Sequence, residues 1–302
     1  MLGVPGAYAI DFHASAGSFL AVATDHLAAE PVVTNVLATV ADKAVRHGAP
    51  DRPHHWYALV RDRSGEVVGT AMRTAPFEPY PLWVCPMPDA AALELARALH
   101  ARGEHPGGAN GALPAARLVA EESARLWGGR VSVAMATCLY ELGTLVPPVG
   151  VPGRARVAAY EDLGLCLDWF NAFLPAARAQ AGNGDGAQGH EEHDEHDIRR
   201  RISEGLILLW EDDGAVVSLA ACNAPALGVV RIGPVYTPDE HRGHGYAAAV
   251  TASVSRWAQA AGHRVCLFTD RDNPVSNPLY VRLGYRRLVD MANHTVVRRW
   301  PR

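Results

Sequence analysis

Val229-Val-Arg-Ile-Gly-Pro-Val-Tyr-Thr-Pro-Asp-Glu-His-Arg-Gly-His-Gly-Tyr-Ala-Ala-Ala-Val250 is the stretch on which the reading of this chain turns. An apolar strand, Val229–Tyr236, runs into Arg242-Gly-His-Gly-Tyr-Ala247, and a helix is expected over Gly245–Ala261. Glycine at 243 and 245 lets the backbone approach a ligand closely and turn its N–H groups inward. The N-terminus of the following helix adds uncapped donors and a partial positive charge. Together these features suit a phosphate or pyrophosphate, and a tight structural turn is the alternative that this stretch alone leaves open. No Lys-Ser/Thr follows the second glycine, so it is not a Walker loop. Nor does an acidic residue end a second strand, as a dinucleotide fold requires.

A second block follows the helix. The strand Arg264–Thr269 leads into Asp270-Arg-Asp-Asn-Pro-Val-Ser-Asn-Pro-Leu-Tyr-Val-Arg-Leu-Gly-Tyr285. Locally this predicts a short helix started by Asn-Pro and closed by Gly284.

The two blocks resemble the signatures of the GCN5-related N-acetyltransferase (GNAT) superfamily. Arg242, Gly245 and Ala247 fill its pyrophosphate-loop pattern, Gln/Arg-x-x-Gly-x-Gly/Ala. Asn273, Ser276, Leu279, Tyr280, Arg282, Gly284 and Tyr285 match a second pattern, Asn-x-x-Ser/Ala-x-x-Leu-Tyr-x-Lys/Arg-x-Gly-Phe/Tyr, in register. The resemblance implies an acetyl-CoA-dependent N-acetyltransferase acting on a primary amine of a small molecule or peptide, by direct attack in a ternary complex. Acetyl-CoA is then the acyl-donor cosubstrate. By the same resemblance, Val235, Tyr236 and Thr237 contact the pantetheine arm and polarise the thioester carbonyl. Arg242, Gly243, His244, Gly245, Tyr246 and Ala247 hold the pyrophosphate, and Asn273 contacts the cofactor near the next strand. Tyr280 is placed as the general acid toward the departing thiolate. The bland alternative for Tyr280 is a core aromatic on a short helix. The general base stays open: Ala226–Tyr236 carries no carboxylate, and Glu204, Glu240 and His241 are candidates beside a water-mediated route. Two alternatives remain: a non-catalytic acyl-CoA-binding regulatory or interaction module, and a tandem acetyltransferase of the mycothiol-synthase type.

The resemblance covers residues 154–302, and an internal repeat extends it. Leu59–Pro76 aligns without a gap on Leu208–Pro225, Gly65 falling on Gly214 and Pro76 on Pro225 at an offset of 149. Each reads as a strand, a polar turn ending in Gly and a second strand stopped by Pro, a hairpin pattern. Helices are expected ahead of each hairpin, at Ser18 to about Arg46 (broken near Pro31) and at Glu161–Arg178. Arg154–Ala159 is a possible strand. A short strand and a helix follow each hairpin: Leu82–Met87 and Ala90–Arg102, then the stretch already quoted. The fold expected is α/β (α+β), two GNAT-like halves, each a mixed, mostly antiparallel sheet flanked by helices. Pro147–Gly153 places the boundary, giving a degenerate half, 1–150, and a catalytic half, 151–302. The first half enters its helix at Pro88-Asp89-Ala90 with no Arg-Gly-x-Gly, so no cofactor site is expected there.

Composition bounds the rest. The 302 residues are 49% hydrophobic and 20% charged, enough for packed cores. A net charge of −4 shows no basic footprint, against a nucleic-acid partner. The longest apolar stretch, Val131–Tyr140, is short of the roughly 20 residues a membrane span needs. Met1–Gly6 lacks the basic region of a signal peptide. Cys85, Cys138, Cys166, Cys222 and Cys266 form no CxxC and read as buried thiols of a cytoplasmic protein, monomer or homodimer. His190, His193 and His196 recur every three residues among acids. A metal site and a solvated loop both fit that spacing, and no metal is assigned.

Overall fold

The computed structural model describes residues 7–48, 54–180 and 193–298. The first half forms β1 (Ala9–His13), α1 (Ala16–Ala29), α2 (Asn35–His47), β2 (Trp56–Arg61), β3 (Val67–Arg73) and β4 (Leu82–Val84). It continues with α3 (Asp89–Ala101), β5 (Gly108–Ala112), α4 (Ala115–Trp127) and β6 (Gly129–Leu142). The second half forms β7 (Arg154–Val157), α5 (Leu163–Gln180), α6 (Glu195–Ser203), β8 (Ile207–Asp212), β9 (Ala215–Cys222) and β10 (Val229–Tyr236). It ends with α7 (Tyr246–Ala260), β11 (Arg264–Asp270), α8 (Ser276–Arg282) and β12 (Tyr285–Arg298).

Both expected hairpins form, β2–β3 and β8–β9, antiparallel and with a register shift beside each turn. Gly65 and Gly214 close them at φ 86° and 78°, the left-handed region where a side chain costs about 1–2 kcal/mol. The first helical stretch breaks around Pro31, as expected, because proline cannot continue the hydrogen-bond ladder. The Ser15 hydroxyl starts α1 by accepting from the Ser18 amide at 3.2 Å.

The chain divides into two compact units. One runs to Thr137 and resumes at Val289, with strand order β1-β2-β3-β4-β5-β12-β6. Its core packs Leu95, Leu99 and Val119 of α3 and α4 against Ala58, Val60 and Val84. The other contains Cys138 to Leu288, with strand order β12-β6-β11-β10-β9-β8-β7. Each unit therefore includes part of β6 and part of β12. β4 with β5 and β10 with β11 pair in parallel, each joined through one helix, while the other described registers are antiparallel. Two apolar clusters sandwich the second unit's sheet. Val250, Val254 and Ala258 of α7 lie in one, Cys166 and Phe170 of α5 with Ile198 and Ile202 of α6 in the other.

Helix α6 is clamped by Asp197, whose carboxylate meets His193 Nδ1 at 3.1 Å, Arg200 at 2.7 Å and Arg201 at 2.9 Å. Arg201 also donates to the Cys222 carbonyl at 3.4 Å, tying α6 to the sheet. Burial pushes the Asp197 carboxyl up, but His193 and the two arginines outweigh it and hold it well below the usual carboxylate range. A depressed folded-state pKa stabilises the fold above the unfolded value, about 3.9, and that contribution fades as pH falls below it. Asp197→Ala should cost about 3 kcal/mol in urea unfolding at pH 7, the lower end for breaking a buried pair. The difference from wild type should shrink below about pH 4. A cost independent of pH would refute the electrostatic account.

Candidate active site

β10 positions the candidate site by leaving its neighbour. Val229–Ile232 pair in register with Arg264–Leu267 of β11, and the parallel pairing stops there. On its other side β10 stays attached to β9, with a register shift between Ile232 and Val235. The strand end Val235-Tyr236 therefore keeps its β9 contacts while parting from β11, which opens a slot between two parallel strands. Ser218 of β9 fixes that end: its hydroxyl donates to the Tyr236 carbonyl at 3.1 Å and lies 2.8 Å from the Thr237 hydroxyl.

The glycine loop follows through a single 3-10 turn, Asp239–His241. Gly243 and Gly245 take φ 84° and 85°, so both backbone bends depend on glycine. A Cβ at Gly243 would meet nothing within 4 Å, whereas one at Gly245 would come 3.0 Å from Val151 Cγ2. Gly245 is the N-cap of α7 and offers no side-chain acceptor, and the first turn holds no acid. The first amides of α7 thus have no side-chain cap, the arrangement that suits an anion. Arg242 donates from Nε to the Thr237 carbonyl at 3.1 Å and pairs with Asp239 at 2.6 Å, which folds the loop back on the strand end. His244 stacks on Tyr246 at 5.5 Å, and Tyr246 donates to Asp212 at 2.6 Å, anchoring the helix start to the β8–β9 turn. Ala247 lies in the first turn of α7.

Asn273 is 4% exposed, and its side-chain oxygen accepts from the amides of Val275 and Ser276, both at 2.9 Å. That is the Asn-started turn expected from the sequence. Its amide nitrogen donates to Gln180 Oε1 at 3.1 Å, joining the end of α5 to the loop after β11. Tyr280, on α8, is buried in the apolar cluster against which Val235 also packs, edge-on to Tyr285 at 5.9 Å. Burial pushes its phenol up to about 12.

The three candidate bases separate. Glu204 ends α6 in an ion pair with Arg200 at 2.9 Å. Glu240 and His241 instead line a cleft of 790 Å³ between one face of α5 and the end of β10. Trp169 of α5 stands 5.7 Å from Tyr236 there. Sequence patterns do not mark Ser218, Gln180 or Trp169; only the apolar spacing of α5 hinted that a helix face lies against something.

The first unit lacks these features. β4 stays paired with β5 up to Val84↔Gly111, packed so closely that no Cβ fits at Gly111. Met87 lies over Gly69, and α3 starts at Asp89, an acid where an anion site needs donors. All five cysteines are free and buried. His190 lies outside the described residues; His193 packs on Phe170 and pairs with Asp197. Among the described residues no group of three metal-ligating side chains converges, and no helix is long and apolar enough to cross a membrane.

Residues 166–285 match the family model of the acetyltransferase (GNAT) family. The match encloses both the slot and the glycine loop. No curated protein matches the chain. A GCN5-related N-acetyltransferase from Sphaerobacter thermophilus is similar in fold at TM-score 0.59 and 18% identity, covering 99% of this chain and 98% of that one. An acetyltransferase from the GNAT family from Colwellia psychrerythraea gives TM-score 0.54 at 12% identity, covering 96% and 100%. A Drosophila protein gives 0.63 at 11% identity, covering 95% and 98%.

Proposed function

We propose that the chain is an acetyl-CoA-dependent N-acetyltransferase that transfers the acetyl group to a primary amine of a small molecule or peptide by direct attack in a ternary complex. The parting of β10 from β11 directly ahead of a glycine loop at an uncapped helix start carries this reading. The room over Gly243 and the donors around Gly245 fit a pyrophosphate; the slot fits an extended amide-bearing arm. Arg242 and the amides of Gly243–Ala247 hold the diphosphate, and Val235–Thr237 hold the arm. Asn273 acts by fixing the turn after β11 and tying it to Gln180.

In the reaction, the amine lone pair attacks the thioester carbon, a C–N bond forms and the C–S bond breaks. The backbone at Val235–Tyr236 stabilises the carbonyl oxygen as it gains charge. The nitrogen loses its proton to water at the open mouth of the cleft. Tyr280, protonated because its phenol lies near 12, donates a hydrogen bond to the departing sulfur. Complete transfer from such a phenol to a thiolate near 8.5 is uphill, so the bond acts as a stabilising donor while solvent supplies the final proton.

The first unit has no part in donor binding on this reading, since its β4–β5 pair stays closed. We place the protein in the reducing cytoplasm, which suits five unlinked thiols, as a monomer or homodimer. Calorimetry with acetyl-CoA should show saturable one-site binding, and thiol release should require an added amine. No binding below millimolar acetyl-CoA would sink the proposal. Tight binding without turnover across an amine panel would favour a non-catalytic acyl-CoA-binding module.

A further inference from the structure

On the reading that the chain acetylates an amine, we infer that the cleft under α5 is the acceptor site and takes a primary amine on a flat apolar body, an arylalkylamine without a carboxylate. The cleft measures 790 Å³, within the roughly 300–1,000 Å³ of small-molecule sites. One wall is a helical stripe of α5, where Leu165 and Trp169 are apolar and large while Ala172 and Ala176 leave space. The opposite wall is Tyr236 and Pro238. Trp169 and Tyr236 lie 5.7 Å apart and tilted by 56°, so two aromatic faces border one space beside the strand end where β10 leaves β11.

The charge on the rim selects further. Asp239 and Glu240 border the cleft, and among the described residues no lysine or arginine lines it. Asp239 is tied to Arg242, which leaves Glu240 as the carboxylate in no ion pair among the described residues. A free amine is cationic near neutral pH, with a pKa near that of lysine, about 10.4. It is therefore drawn to Glu240, which releases it as the proton leaves. An acceptor that also carried a carboxylate would meet Asp239 and Glu240 there, two acids against the single imidazole of His241. A polyamine or an amino sugar would leave the aromatic walls against polar groups that bury poorly.

The test is steady-state transfer from acetyl-CoA to 2-phenylethylamine, tryptamine, L-phenylalanine, spermidine and glucosamine. The two arylalkylamines should exceed the other three in kcat/KM by about tenfold or more, the discrimination an apolar pocket supports. Ala172→Phe fills the cleft and should raise the arylalkylamine KM by about tenfold, leaving the calorimetric Kd for acetyl-CoA within about twofold. Trp169→Ala, which empties it, should do the same, so that a folding failure of one variant leaves the other to decide. Preference for L-phenylalanine, spermidine or glucosamine would overturn the inference. So would turnover of none of the five together with no calorimetric binding of tryptamine. If Ala172→Phe instead weakened acetyl-CoA binding, the cleft would belong to the donor and the inference would fail. Failure of the wild type to bind acetyl-CoA would strike the parent reading, and is separately visible in the same calorimetry.

Discussion

Gly243→Ala/Gly245→Ala is expected to bind acetyl-CoA about 30- to 1,000-fold more weakly than wild type, by calorimetry at constant salt. The physical cause lies in the backbone. Both residues hold φ near 85°, where each added Cβ costs about 1–2 kcal/mol. The loop can shed that strain only by relaxing, and relaxation turns the amides of α7 away from the anion they would hold. The 2–4 kcal/mol involved converts to about 1.5–3 decades in affinity. The single variants separate the effects. Gly243→Ala meets open space, so its loss is conformational alone, while Gly245→Ala also presses on Val151 at 3.0 Å and should cost more. The α7 core around Val250 and Val254 is untouched, so the melting temperature should fall by only a few degrees. A double variant whose Kd stays within about threefold of wild type would show that the loop is a structural turn and not a cradle.

Tyr280→Phe should lower kcat about 10- to 150-fold with little change in acetyl-CoA affinity. A hydrogen bond to a charged partner contributes about 1.5–3 kcal/mol, and here it is made only as charge builds on the sulfur. The side chain is buried edge-on to Tyr285 at 5.9 Å, so phenylalanine fills the same volume and the fold should lose almost nothing. This separates the two accounts of the residue, because a mere core aromatic would leave kcat where it was. The pH dependence adds a second reading. With its phenol raised to about 12 by burial, Tyr280 stays protonated across any assay from pH 6 to about 10. A basic limb in the wild-type kcat profile over that range must then come from another group. Its disappearance in Tyr280→Phe would show that the phenol itself titrates in that range, below the value burial gives it, whereas equal losses in kcat and affinity would contradict the role.

Particular elements show how far local chemistry reaches. The hairpins at Gly65 and Gly214, the loop at Gly243 and Gly245 and the Asn273 turn are each decided by residues within a few positions of one another. Their backbone angles demand glycine or an Asx acceptor, and those residue types stand out in a bare sequence. The structure places β10 over Val229–Tyr236, the same residues that the apolar run marks. Other features join residues far apart in the chain. Ser218 reaches Tyr236 and Thr237, Asn273 reaches Gln180, and Trp169 faces Tyr236. No spacing rule announces such pairs, because each depends on sheet register and on how a helix crosses it. The separation of Glu240 and His241 from Glu204 has the same origin: Glu204 ends α6 and pairs with Arg200, while the turn after β10 brings the other two to the cleft.

The amino-acid sequence by itself determined the two hairpins, the run of β10 and the glycine turn into α7, since these rest on φ preferences and periodicity that operate over short range. Only the tertiary structure decided that each unit includes parts of β6 and β12, that β10 parts from β11 while β4 stays closed on β5, and that α5 roofs a cleft. Strand pairing is a choice among many backbone donors and acceptors that are chemically alike, and burial of whole faces settles it, not the identity of any one residue.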